Sequence, residues 1–371
     1  MDMDRRQLSL RIAFSQLRGI NQMLAREILA RIGSEEAFFE ATDRQLAAVM
    51  GFSNRIFDRQ YRDGLLKAAE VEADFTEAGH VDATYFMDAD YPSRLHDCTD
   101  APLMLYSTGS CRLNDVLTVG VVGTRHATPY GVDFCRKLVE GLASRVGAPV
   151  AVVSGLAYGI DVAAHRVAIE CGLPTVAVLA HGLNTIYPAA HRNTAVEMVR
   201  SGGLLLTDYM SSAAVHKGNF LARNRIVAGI SDCLVVVESA EKGGAMGTAR
   251  IASDYDRDVF ALPGRTSDIY SAGCNSLIRR NVASLVGSAD DLIDAMRWPR
   301  RQQETAQSTL FPEISGEEQS VMDYLRERGE AQINRLSVDL DIPVGRLTGM
   351  LIEMEFKGLV LPYPGAKYRP A

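Results

Sequence analysis

From Thr118 onward the chain alternates short apolar runs with longer helix-period stretches, and this limits its possible folds more than any other feature. The runs "TVGVVG", "PVAVVSG", "PTVAVLAHG", "LLLTDY", "DCLVVVE" and "DVFALPG" are nearly continuous in valine, leucine and alanine. A strand with one wet face alternates apolar and polar residues. A run without that alternation is buried on both faces, as strands of parallel sheets are. Between the runs stand "YGVDFCRKLVEGLASRV", "GIDVAAHRVAIECG", "AAHRNTAVEMVRSG", "NFLARNRIVAGI" and "MGTARIASDYDR". Strand-helix alternation of this kind predicts a doubly wound, mostly parallel α/β sheet. Such a sheet binds ligands beyond the carboxyl ends of its strands, where the strand order switches direction.

The flanks read differently. Residues 1–79 carry apolar residues at helical spacing in "LSLRIAFSQL", "QMLAREILARI", "SEEAFFE" and "DRQLAAVM", broken by turn signals at Gly19, Gly33 and Gly51. They predict a small helical bundle of the SAM or helix-hairpin-helix kind. Residues 80–117 read as a connector with one short strand at "LMLY". Residues 298–314 are polar and without period, a linker. Residues 315–371 read helix, helix, helix, then strands around a Pro-Gly turn, the order of a winged helix-turn-helix.

Composition narrows the class. A hydrophobic fraction of 47% and a charged fraction of 23% belong to an ordinary globular chain. The six cysteines form no C-x-x-C pair, so neither a zinc site nor a disulfide framework is expected. The N-terminus has no apolar h-region, and no stretch nears the roughly 20 apolar residues of a membrane span. A cytoplasmic protein without membrane contact is expected. The net charge of −7 is uneven: residues 118–297 hold 17 basic and 16 acidic residues, leaving −8 to the rest. An anion site belongs in the middle of the chain.

Four strand ends carry residues that suit an anion. After the first strand, Gly123 permits close backbone approach, Thr124 supplies a hydroxyl and Arg125 can fork onto a phosphate. Thr128 and Pro129 read as N-cap and first residue of the next helix, a further anion site. After the second strand, "SGLAYGID" offers the Ser154 hydroxyl and the bare backbone of Gly155, with Asp161 as a helix-start residue. After the fourth, Arg223 and Arg225 bracket Asn224 at what reads as a helix start, a pattern suited to phosphate or base contact. After the fifth, Glu238 precedes Gly243, Gly244 and Gly247, a backbone cradle for phosphate. Tyr158 and Phe220 are candidates to stack a base. No Walker loop, G-x-G-x-x-G, nucleophile elbow or metal-ligand spacing occurs, and His165 reads as a hydrogen-bonded core histidine. Donors and cations without a base or nucleophile are a binder's inventory, so no catalytic residue and no cofactor is expected.

At these same residues the chain resembles the DprA (Smf) DNA-processing family. The likeness spans residues 80–297 and includes "YPSRL", "DAPLMLYSTG", "VGTRHATPYG", "SGLAYGIDVAAH", "NFLARNRIVAGISDCLVVVES" and "SAGCNSLIRRN". It implies an extended Rossmann-like domain that binds single-stranded DNA, protects incoming strands in natural transformation and loads RecA recombinase. It also implies a homodimer through that domain and no enzymatic activity. The family's V-G-[ST]-R arginine falls on Arg125, and its R-N-R-I segment on Arg223, Asn224 and Arg225. Three departures stand out: "TDYMSSAAVHKGNF" lacks the family's proline-rich loop, Tyr158 stands at an often basic position, and "KGGAMGTA" replaces the commoner glycine-serine segment. The rival reading is a small-nucleotide sensor or a phosphoribohydrolase-like enzyme, with Glu238 as its acid. The last 57 residues, 315–371, hold 7 basic against 9 acidic residues, which points the winged helix toward protein, or toward only weak contact with duplex DNA.

Overall fold

A computed structural model describes residues 5–301 and 314–371. These fall into two compact units, divided between Arg301 and Gln302. Five helices open the first unit: α1 (Arg5–Ser15), α2 (Gln22–Ile32), α3 (Glu35–Glu40), α4 (Asp43–Met50) and α5 (Arg59–Gly79). Their boundaries follow capping chemistry. Asn21, Ser34, Thr42 and Asp58 each accept a first-turn N–H with the side chain, and Thr42 forms a reciprocal capping box with Gln45. Arg62 of α5 is fully buried, its guanidinium donating to the carbonyls of Phe38, Phe39, Ala41 and Phe57. Those carbonyls lie at helix ends, where backbone acceptors lack helical partners.

The connector holds more order than its prolines suggest. It supplies β1 (Asp82–Tyr85) and β2 (Met104–Gly109): β2 joins the edge of the central sheet antiparallel, and β1 pairs antiparallel with β2. There follow β3 (Leu117–Val122), α6 (Pro129–Arg145), β4 (Val150–Ser154), α7 (Ile160–Glu170), β5 (Thr175–Val178), α8 (Arg192–Arg200) and β6 (Leu204–Thr207). The unit closes with α9 (Lys217–Gly229), β7 (Cys233–Val236), α10 (Gly244–Asp254), β8 (Asp258–Ala261), α11 (Ala272–Arg279), β9 (Ser284–Leu285) and α12 (Ala289–Ala295). The nine strands lie in the order β1-β2-β6-β5-β4-β3-β7-β8-β9, and β3 to β9 are all parallel. This is the doubly wound α/β sheet, with the crossover direction reversing between β3 and β7.

The apolar strand runs explain the layering. Successive side chains alternate faces, so Val119, Val121, Val152 and Val235 pack under α6 and α7, while Val122, Val153, Leu234 and Val236 join a second core on the opposite face. That second core continues into Ile12, Phe14, Phe38 and Phe57 of the N-terminal helices. Beyond α12, Trp298 packs against the first core, and Arg301 still donates its N–H to the Arg145 carbonyl at 2.6 Å. Residues 302–313, most of the expected linker, lie outside the described residues.

The second unit contains α13 (Gly316–Arg328), β10 (Ala331–Gln332), α14 (Ile333–Asp339), α15 (Val344–Phe356), β11 (Val360–Tyr363) and β12 (Lys367–Pro370). Its strands form an antiparallel sheet in the order β10-β12-β11. Val321, Leu325, Leu336, Leu347, Leu351 and Met354 make a core of its own.

Candidate functional site

A cleft of about 360 Å³ opens beyond the ends of β3 and β7, at the switch in strand order. Its walls are the β3–α6 loop from Gly123 to His126, the inner side of α9 through Phe220, Leu221, Arg223 and Asn224, and the first turn of α10 from Gly243. Tyr270, from the loop before α11, closes one side.

Arg125 is exposed and, among the described residues, has no carboxylate partner. Its guanidinium lies 5.8 Å from the Phe220 ring centre, a cation–π distance. The α10 helix has Gly243 as its N-cap, with no side-chain cap; the Gly243 and Met246 N–H groups donate to the Ala240 and Gly243 carbonyls, and those of Gly244 and Ala245 keep their capacity for an outside acceptor. A Cβ at Gly244 or Gly247 would meet nothing within 4 Å, leaving that backbone open to close approach. Gly247 itself lies outside the cleft lining. Of the rings nearby, His126 and Tyr270 line the cleft and stack with centres 6.2 Å apart. Tyr187 lies 5.5 Å from Phe220, outside the cleft lining. The predicted Tyr158 is also outside that lining, half-exposed and edge-on to His191 at 4.8 Å.

Other sequence candidates turn inward. Ser154 is fully buried and its hydroxyl donates to the Val121 carbonyl at 2.6 Å, so it offers nothing to a ligand. The N–H groups of Gly155 and Ala157 already have an anion, the Asp161 carboxylate, at 3.2 and 3.4 Å. Burial pushes the Asp161 carboxyl above its ordinary range, and the Arg223 guanidinium opposes that rise. Arg223 is only 5% exposed and donates to the carbonyls of Gly155 and Val178. It forms the floor of the cleft rather than a free phosphate clamp. The two glycines of "SGLAYGID" serve this packing. A Cβ at Gly155 would collide with the Arg223 guanidinium. Gly159, at φ +77°, would drive a Cβ into the Thr124 carbonyl oxygen.

Arg225 faces a different cavity, bonded to Asp208 at 2.5 Å and to the Asp100 carbonyl at 2.5 Å. The reason is helix phase. His216 caps α9, which begins at Lys217, well before the two arginines, so Arg223 and Arg225 sit inside the helix. Residues two apart on a helix do not share a face. The expectation that both arginines flank one loop at a helix start is corrected accordingly, and only Arg223 and Asn224 of the three reach the cleft.

The anion site expected at α6 is also filled from within. Thr128 does cap the helix, and the Glu238 carboxylate accepts from the Thr128 N–H at 2.9 Å and its hydroxyl at 2.6 Å. Glu238 is 3% exposed. A carboxylate so engaged is a helix anchor and is not placed as a catalytic acid. His165 is likewise structural. It accepts from the Leu156 N–H and bonds Thr175 at 2.7 Å, and burial, with help from Arg223, lowers its pKa to about 3. Leu156, at φ +57°, is held in that left-handed conformation by His165 on one side and His191 on the other. Sequence reasoning missed His126, Tyr187 and Tyr270. The first stands beside Arg125 in "TRHA", a visible signal; the other two reach the site only through folding.

The family model for DNA recombination-mediator protein A matches residues 82–297. A DprA relative from Mycobacterium tuberculosis is 38% identical over 271 residues, covering 72% of this chain and 68% of its own length. Among solved structures, DNA processing protein A from Streptococcus pneumoniae aligns with a TM-score of 0.60 and 28% identity, covering 79% of this chain and 98% of that one. DNA processing protein A from Helicobacter pylori, solved for its single-stranded DNA binding mode, aligns with a TM-score of 0.52 and 30% identity, covering 59% of this chain and 97% of that one.

Proposed function

Because this chain belongs to the DNA recombination-mediator protein A family, also called DprA or Smf, we propose that its cleft beyond β3 and β7 binds single-stranded DNA. The observation that carries the reading is one cation, Arg125, free of carboxylates among the described residues and set beside the partly buried Phe220 ring and the His126–Tyr270 pair at an uncapped helix start. A phosphate would lie between Arg125, Thr124, Asn224 and the α10 backbone at Gly243 and Gly244. Phe220, Tyr158, Tyr187 and the His126–Tyr270 pair would stack unpaired bases, each such contact contributing about 1–3 kcal/mol. A cleft of about 360 Å³ admits a splayed strand, whereas duplex bases are already stacked and out of reach.

From the family likeness we further propose that the protein loads RecA recombinase onto single strands during transformation and does so without catalysis. The same likeness supports a homodimer through the Rossmann-like domain, a cytoplasmic location, and a division into helical module, DNA-binding domain, linker and winged helix at residues 79, 297 and 314. Two assays test the reading together. Single-strand-dependent ATP hydrolysis by RecA should start sooner with the protein present, and nucleoside monophosphates should release no base. Base release abolished by Glu238→Gln would instead favour the phosphoribohydrolase-like rival, whose acid is here bonded to Thr128.

A further inference from the structure

The second unit carries a surface that DNA binding does not account for. The winged helix expected from the sequence of this unit would use its third helix, α15, to enter a duplex groove. The centre of its exposed face is Gly345, Gly349, Ile352 and Phe356, at positions i, i+4, i+7 and i+11. Ile352 is 45% exposed and Phe356 89%. A Cβ at either glycine would meet nothing within 4 Å, so another backbone could approach closely. Beside this stripe runs a groove of about 730 Å³ between α13 and α15, whose charged lining is Glu317, Glu318 and Glu353 with Arg346 and Lys357.

Charge decides what can lie there. Six of the unit's seven basic residues are already in ion pairs: Arg328 and Arg335 with Asp339, Arg346 with Glu317, Lys357 with Glu318, and Lys367 and Arg369 with Glu330. Only Arg326, on α13, remains among the described residues. Phosphate binding rests on neutralisation by unpaired cations, and α15 supplies none. The stripe is instead flanked by Glu353 and Glu355, which have no ion-pair partner among the described residues. A second copy of this chain meeting this face with its own would set those carboxylates against one another.

We propose that the α15 face docks an amphipathic helix of a protein partner, one whose apolar stripe is flanked by lysine or arginine. Its apolar side chains would pack on Ile352 and Phe356 and its cations on Glu353 and Glu355, the helix-in-groove mode of recognition. The proposal does not depend on where single-stranded DNA binds.

The test uses the full chain and two labelled synthetic helical peptides with identical leucine stripes, one flanked by lysine and one by glutamate, alongside a duplex of about two helical turns. Fluorescence anisotropy should show binding of the lysine peptide only. Phe356→Glu should weaken it at least tenfold, with an unchanged circular dichroism spectrum, since Phe356 is a surface residue. The double change Glu353→Lys with Glu355→Lys should reverse the preference between peptides. Equal binding or no binding of the two peptides, or indifference to Phe356→Glu, would overturn the proposal. Duplex binding that Phe356→Glu removes would overturn it too and make α15 a reader of DNA.

Discussion

Arg125 and Arg223 stand in motifs that look equivalent in the sequence, yet the structure gives them opposite duties. Arg223→Ala would leave the Gly155 and Val178 carbonyls without their donor and the buried Asp161 carboxylate without its compensating charge. Breaking such a buried arrangement should cost about 3–5 kcal/mol, visible as an early urea midpoint. Arg125→Ala removes an exposed side chain and should change stability by no more than about 0.5 kcal/mol while weakening single-strand binding. The sequence revealed that "SGLAYGID" faces an anion but not which one. That answer depends on Asp161 folding back on Gly155 and Ala157, and on Arg223 arriving from 68 residues away.

His165 gives this scale a pH test. Its folded pKa, near 3, lies below the unfolded value, so its contribution to stability is complete above about pH 6.5 and is lost as the pH falls toward 3. Each pH unit between those limits removes about 1.4 kcal/mol, or about 2 kcal/mol on going from pH 6.5 to 5. Thermal melts at pH 7 and 5 should therefore converge in His165→Asn relative to wild type. Equal pH dependence in both proteins would show that burial leaves the imidazole free to protonate.

At the scale of elements, the strands and helices of the sheet were legible because their burial writes itself into composition. The phase of α9 was not. Its cap is His216 rather than serine, threonine or aspartate, so nothing in the sequence marked the start, and a shift of nearly two turns decided which arginine met the cleft. The loop before α9 is also held by an element with no visible motif. Glu72 of α5, 2% exposed, accepts from the Ser211 N–H at 2.8 Å and from its hydroxyl at 2.5 Å. Since α9 carries Phe220 and Asn224, the N-terminal helices thereby position one wall of the site. Glu72→Gln replaces one acceptor with a donor facing an N–H, a penalty of about 1–3 kcal/mol. Hydrogen exchange over residues 208–216 should accelerate, and single-strand affinity should fall several-fold. Unchanged exchange there would remove α5 from the site's support.

For the whole molecule, the uneven charge is informative. Residues 118–297 are close to neutral, so affinity for DNA must come from a few placed donors and ring stacking more than from a basic field. The acidic C-terminal unit should contribute little. Deleting residues 315–371 should leave single-strand affinity within about twofold, measured by titration, because six of that unit's seven cations are paired internally. A large loss would return DNA contact to that unit.

The most direct test of the cleft is fluorescence anisotropy of a labelled single-stranded oligonucleotide, beside a duplex of equal length, with wild type and Arg125→Ala across a salt series. The single strand should bind far more tightly than the duplex, and the variant should bind it less tightly with a salt slope shallower by about one. Equal affinity for duplex, or single-strand binding with the same strength and slope in both proteins, would contradict a DNA site beyond β3 and β7.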